Sequence, residues 1–132
     1  MGAWGAGVFE NDDAMDFVFD LSESDGWKLV RKTLRECLDE GYTDAAQAAC
    51  ALVAAEAVAA AMGHPLKDLP PEVASWVAQH REDLPAGLEE RAREAVERVL
   101  EDDESELRQL WAEEDDKAWI ASLDDLINRL SQ

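Results

Sequence analysis

The stretch from Asp44 to Met62 constrains the fold more than any other part of the sequence, because it consists mostly of alanine. Alanine has the highest intrinsic helix propensity, and its small side chain lets neighbouring helices approach closely. Thr43 precedes this stretch as a candidate helix cap, and Gly63 follows it as a candidate helix stop. We therefore predict a helix over residues 44–62 at the centre of a helical bundle.

The rest of the sequence also carries helical patterns, in which apolar residues recur at spacings of three and four. No segment alternates convincingly with period two, as a half-buried strand would. The sequence predicts an all-α fold, a single-domain bundle of about six or seven helices that spans residues 1–132. The last two helical segments carry Leu107–Trp111 and Ala118–Leu130, and one long bent helix is an alternative for them. The other segments are residues 12–21, 25–40, 71–80 and 88–102.

The first ten residues, MGAWGAGVFE, differ from the helical segments in their glycine content. Gly5 and Gly7 permit a positive φ or a close backbone approach, and Trp4 and Phe9 offer aromatic anchors. We expect an extended N-terminal arm over residues 1–10 that packs on the bundle. A phosphate-binding loop is excluded, because no lysine follows the glycines and acidic residues crowd the next helix.

The chain carries 31 acidic and 12 basic residues, for a formal net charge of −19. This balance argues against nucleic acid and anionic membranes as ligands. It favours a basic protein as the partner. The alternative explanation is that the acidic residues only keep the protein soluble. The sequence shows no secretion signal, and its longest apolar run is too short to span a bilayer. Cys37 and Cys50 have no metal-ligand spacing and suit a reducing compartment. We therefore expect a cytoplasmic protein.

Acidic residues are densest between Glu101 and Asp116, where nine acids accompany one base, Arg108. One interpretation is a solvated loop, with Ser105 or Asp103 capping the helix that follows. The functional interpretation is a patch that binds a basic partner. The candidate partner-binding residues are Glu101, Asp102, Asp103, Glu104, Glu113, Glu114, Asp115 and Asp116.

Glu56 is unusual because apolar residues surround it within the alanine-rich stretch. A buried carboxylate must be protonated, paired or hydrogen-bonded. It could act as a general base, or it could accept hydrogen bonds from the N-terminal arm, from the Trp4 indole or from an arginine. We favour this structural role over catalysis.

Asp12 and Asp16 share one helix face and offer the oxygen ligands that Mg²⁺ and Ca²⁺ prefer. Together with Glu56 they define an alternative function, a divalent-metal-binding module or a metal-dependent enzyme. The simpler interpretation is that Asn11 caps the first helix, with Asp12 and Asp13 near its positive end.

The sequence shows no signature of catalysis, since it contains no nucleophile motif and no cysteine in a reactive context. His64 and His80 are not at metal-ligand spacing with another histidine or cysteine. We therefore predict no catalytic or cofactor-binding residues and favour a non-enzymatic protein-interaction module. One concrete form would be an immunity or inhibitor protein that blocks a basic, nuclease-like toxin.

Three stretches together resemble one known family: GAWGAGVFENDDAMDF, AAEAVAAAMG, and ESELRQLWAEE followed by Trp119. The family is the domain-of-unknown-function family DUF4259, and the likeness covers nearly the whole chain. The resemblance implies a small, mainly helical, single-domain bacterial protein, and it implies no established activity, cofactor or catalytic residue. The matching positions are Trp4, Gly5, Gly7, Phe9, Asn11, Asp12, Asp16, Glu56, Ser105, Glu106, Leu107, Leu110, Trp111 and Trp119.

Overall fold

A computed structural model describes residues 5–39 and 41–132 and shows an all-α fold without a strand in these ranges. Helical hydrogen bonding satisfies the backbone of each apolar-periodic segment while one stripe of side chains faces the core. Helices α6 and α7 are separate, so the alternative of one bent helix is wrong. The helices are α1 (Asp12–Ser22), α2 (Lys28–Asp39), α3 (Ala45–Ala61), α4 (Pro71–His80), α5 (Leu88–Glu101), α6 (Glu106–Ala112) and α7 (Lys117–Leu130), with a 3₁₀ turn at Arg81–Asp83.

Helix α3 is the central element, as its alanine content predicted. It packs against all six other helices. From Ala51 to Ala61 every residue is buried, because the small side chains let neighbours approach from all directions. None of the described helices is both long and apolar enough to cross a membrane.

The helix starts show where capping was predicted correctly and where it was not. Asn11 caps α1 by accepting a hydrogen bond from the Ala14 amide at 2.8 Å. The prediction that Thr43 caps α3 is wrong, because Asp44 accepts from the Gln47 amide at 2.7 Å. Thr43 is instead fully buried, and its hydroxyl donates to the Cys37 carbonyl at 3.5 Å.

Residues 5–10 form turns and bends that lead into α1. Val8 and Phe9 are buried and belong to the main hydrophobic core, so this part of the arm packs on the bundle. The Gly7 amide donates to the Glu10 carboxylate at 3.0 Å, and a Cβ at Gly5 or Gly7 would meet that same carboxylate. Glu10 is exposed and its side chain is flexible, so this contact alone does not require glycine, and neither Gly5 nor Gly7 has a positive φ. The aromatic anchor expected at Trp4 lies outside the described residues.

Two tryptophans fasten the α1–α2 loop to α4. The Trp27 indole donates to the His80 carbonyl at 2.8 Å, and the Trp76 indole donates to the Ser24 carbonyl at 2.9 Å. Their rings meet edge to face, with centroids 4.8 Å apart. Both indoles thus bury their rings while their N–H groups are satisfied.

Candidate functional site

The two loops that precede α3 and α6 are joined through Thr43 and Ser105, both fully buried. The Thr43 amide donates to the Glu104 carbonyl, and the Glu106 amide donates to the Thr43 carbonyl, each at 2.9 Å. The Ser105 hydroxyl donates to the Val99 carbonyl at 2.9 Å and accepts from the Arg108 amide at 3.3 Å. We call Thr43, Ser105 and their hydrogen bonds the clasp. It fixes the start of α6 to the rest of the bundle.

Two charged side chains reinforce the clasp. Arg98 donates to the Thr43 hydroxyl at 3.1 Å and to the Gly41 carbonyl at 3.0 Å. The Glu106 carboxylate accepts from the Ala45 amide at 2.6 Å, so a residue of α6 satisfies the first turn of α3. Ser105 and Glu106, the two polar residues of the SEL sequence at positions 105–107, therefore link the start of α6 to the rest of the bundle.

The acidic loops on both sides of α6 are also fastened. Asp102 lies 3.4 Å from Arg98, and Asp116 pairs with Arg108 at 2.9 Å across α6. The Gln109 side chain donates to the Asp103 carbonyl at 2.6 Å. These bonds fasten the loop before α6 to α5 and α6, and they fasten the loop after α6 to α6 itself.

The remaining candidate partner-binding residues are exposed, and none forms an ion pair with a cation in the part of the chain that the structure describes. Asp115 accepts a hydrogen bond from the Lys117 amide at 3.3 Å, which leaves its charge unneutralised. We call this set the acidic surface. It comprises Glu101, Asp103, Glu104, Glu113, Glu114 and Asp115.

A small cleft of about 110 Å³ lies between the arm, the start of α1, α3 and α6. Trp111 and Leu110 of α6 line it together with Gly7 of the arm and Ala49 of α3. Trp111 is half-buried and stacks on Trp119, with ring centroids 6.1 Å apart and planes inclined by 11°. The cleft therefore brings the glycine-rich start and residues 107–111 of α6 together in one mainly apolar depression, which Asn11 and Asp13 also line.

Glu56 is fully buried and forms a bidentate ion pair with Arg129 of α7, with N–O distances of 2.8 and 2.9 Å. Arg129 also donates to Asp125 at 2.8 Å and to the His64 carbonyl at 3.2 Å. Burial raises the pKa of Glu56 above its ordinary value, and the hydrogen bonds and charge of Arg129 oppose that rise. Both carboxylate oxygens are occupied, which is the structural role favoured from the sequence, with an arginine as donor.

Asp12 and Asp16 are exposed on α1, whereas Glu56 is enclosed with Arg129. No group of three or more histidine, cysteine or acidic side chains able to hold a metal occurs among the described residues. The metal alternative therefore has no assembled ligand set in this part of the chain. The expected ligands fail to meet because α1 presents its aspartates to solvent, whereas Glu56 lies in the part of α3 whose residues are all buried.

Neither cysteine is set up as a nucleophile. Cys37 and Cys50 are free thiols, and burial raises the pKa of each to about 11. The thiolate, which is the reactive form, is therefore disfavoured near neutral pH.

Sequence reasoning missed the clasp and the partner of Glu56. The position of Ser105 before an apolar run predicted a cap, and the structure confirms it, but nothing local to the sequence indicated the distant partner Thr43. Arg129 lies between Leu126 and Leu130 on the buried side of α7, and this placement was an available signal for an internal ion pair.

Comparison with known proteins supports the likeness noted in the sequence. Residues 2–122 match the model of a family described as "Domain of unknown function (DUF4259)". No curated protein and no solved structure matches the chain. The family description names no ligand or reaction, so the function has to be argued from the site itself.

Proposed function

The chain belongs to the DUF4259 family, and we propose that it is a non-enzymatic interaction module that binds a basic protein through the acidic surface around α6. One observation carries this proposal. The exposed carboxylates of the acidic surface flank a helix that the clasp and the Arg108–Asp116 pair fasten at both ends.

This arrangement favours binding because the charged groups are presented on a fixed scaffold. A partner does not have to order the α6 region on association, and ordering is one of the main free-energy costs of binding. The unneutralised carboxylates would also steer a basic partner and raise the association rate at low salt. A solvated acidic loop serving solubility alone would not require the clasp.

The apolar cleft supplies the second element of an interface. Protein interfaces combine an apolar centre, often aromatic, with a polar rim. Trp111 and Leu110 line the cleft, and the acidic surface lies at both ends of their helix. We therefore propose a partner that surrounds an apolar side chain with lysines and arginines. A basic active site covered by this surface, as in an immunity or inhibitor protein, is the form of this proposal that we favour.

The proposal is tested by capture from a native-host lysate at low and high salt, with wild type and a triple variant, Glu104→Gln/Glu113→Gln/Glu114→Gln. A matched control, Glu23→Gln/Glu72→Gln/Glu82→Gln, removes the same charge from exposed positions elsewhere. We expect a basic protein that binds wild type and the control, dissociates at high salt and fails to bind the triple variant. The purified pair must reproduce this pattern.

Two results would count against the proposal. One is a captured set that is the same for the triple variant and for wild type. The other is the absence of any basic partner at either salt concentration.

A further inference from the structure

The basic residues of this acidic protein fall into two groups. Arg98, Arg108 and Arg129 are each within ion-pair distance of a carboxylate. The other nine basic residues form no ion pair with any carboxylate in the described ranges, although acidic residues greatly outnumber basic ones. Arg31, Arg35 and Arg91 belong to this second group, and they differ from the rest of it in lining one cleft together.

These three arginines line one cleft of about 470 Å³ between α2 and the loop that leads into α5. Half-buried Pro85 and exposed Ala86 provide an accessible apolar floor, and Leu34 and Leu88, both almost fully buried, also line the cleft. Glu90 is the one carboxylate in the lining. The volume falls in the range of about 300–1,000 Å³ that is common for small-molecule sites.

The positive charge extends along α2 beyond this cleft. Lys28 and Lys32 line an adjoining depression of about 600 Å³, which shares Arg31 and Arg35 with the first. The four basic residues stand at spacings of three and four, so they form one exposed stripe on the helix. Asp25 and Asp83 also line this depression, whereas Glu90 is the one carboxylate among the residues that line the arginine cleft.

We propose that the cleft between α2 and the start of α5 binds a small organic molecule that carries a phosphate ester. The planar guanidinium group presents paired N–H donors that match phosphate oxygens, and three such groups line the cleft. The apolar floor at Pro85 and Ala86 receives the organic part of the ligand. This site is distinct from the acidic surface, and the inference does not depend on the proposed partner.

Charge and shape both favour a small ligand over a large polyanion. At an ionic strength of about 0.1 M the screening length is about 10 Å, so a ligand inside the cleft responds mainly to the nearby arginines. An extended polyanion would also meet the remaining surface of a chain whose net charge is −19. The concave lining adds contacts that a flat surface does not offer.

The test is isothermal titration of phenyl phosphate at an ionic strength of about 0.1 M. We expect saturable binding at one site and roughly tenfold or greater weakening in Arg31→Gln/Arg91→Gln, because each lost guanidinium removes charge-assisted hydrogen bonds. The matched control, Lys67→Gln/Lys117→Gln, removes the same charge from exposed positions outside the cleft and should bind as wild type does. Thermal melts of both variants check that each of them is folded.

The inference also predicts that phenyl phosphate binds more tightly than inorganic phosphate, because the apolar floor contributes. Absence of saturable binding, or equal weakening in the cleft variant and the control, would overturn the site. Tighter binding of an acidic peptide than of phenyl phosphate would overturn its assignment to a small phosphorylated molecule. None of these results depends on the capture experiment at the acidic surface.

Discussion

Two groups of carboxylates in this molecule differ in their burial and in their ion pairing. Glu56 is fully buried in the middle of α3, and a bidentate arginine neutralises it. The carboxylates of the acidic surface are exposed at the ends of α6 and have no cationic partner in the described chain. A buried charge must be neutralised for the fold to be stable, whereas an exposed one is solvated and remains free to attract a partner.

The clasp shares its burial with Glu56 and its location with the acidic surface. Thr43 and Ser105 are buried polar residues, as Glu56 is, yet their hydrogen bonds hold α6, the helix that the exposed acids flank. The difference between the groups therefore predicts an order of mutational effects. Removing one partner of the ion pair should lower the global stability most, changes at the clasp should loosen α6, and changes at the acidic surface should mainly alter binding.

The largest effect is expected from Arg129→Met, which leaves the Glu56 carboxylate buried without its partner. Breaking a buried ion pair in this way costs about 3–5 kcal/mol. Chemical denaturation at neutral pH measures the loss. The matched control is Glu56→Met/Arg129→Met, in which apolar side chains replace both charges, and it should recover most of the stability. If Arg129→Met lowered the free energy of unfolding no more than the loss of an exposed ion pair does, the buried and exposed carboxylates would not differ in their contribution to stability.

The pH dependence of Arg129→Met sharpens the same comparison. Burial raises the pKa of Glu56, and the variant lacks the arginine that opposes this rise. A raised pKa in the folded state means that stability is greatest when the carboxyl is protonated and is lost as pH rises through that pKa. The deficit relative to wild type should therefore shrink as the pH falls from about 8 to about 5. The double variant lacks the carboxyl, so its difference from wild type should show no matching change.

An intermediate effect is expected from Ser105→Ala. The substitution removes the cap of α6 and the bond to the Val99 carbonyl, and the loss of a buried hydrogen bond with a cap costs about 1–3 kcal/mol. Amide hydrogen exchange in α6 should accelerate more than the global stability change explains, because the clasp fixes this helix. Ser75→Ala at an exposed position of α4 is the control. Unchanged exchange in α6 would show that the clasp does not hold it.

The helical class, the central helix and the caps of α1 and α6 followed from the sequence, because each depends on local propensity and on apolar spacing. The enclosure of Glu56 was also foreseeable, since apolar residues flank it on both sides. Its partner Arg129 is 73 positions away, and no periodicity specifies such a contact. The correction at Thr43 has the same origin, because its bonds go to a distant loop and Asp44 takes over the cap.

The same contrast between local patterns and contacts of distant residues applies to the candidate sites. Charge density marked the segment from Glu101 to Asp116, but only the structure separates the paired Asp102 and Asp116 from the exposed residues around them. The cationic cleft was not recognised, because Arg91 lies far along the chain from Arg31 and Arg35 and helix packing brings them together. Local patterns thus identify the helices, whereas the sites arise from contacts between them.

The smallest effect on stability is expected from Glu113→Gln/Glu114→Gln. Surface substitutions that break no packing or pairing usually change stability by no more than about 0.5 kcal/mol. Here the change should be zero or slightly stabilising, because the variant carries less like charge and repels itself less. The chemical denaturation that measures the Arg129→Met loss also measures this one, and Glu72→Gln/Glu82→Gln is the charge-matched control. Loss of more than about 1 kcal/mol, beyond that of the control, would mean that these carboxylates help to hold the fold. In that case exposure alone would not distinguish charges that bind from charges that stabilise, and the acidic surface would have to be counted with Glu56.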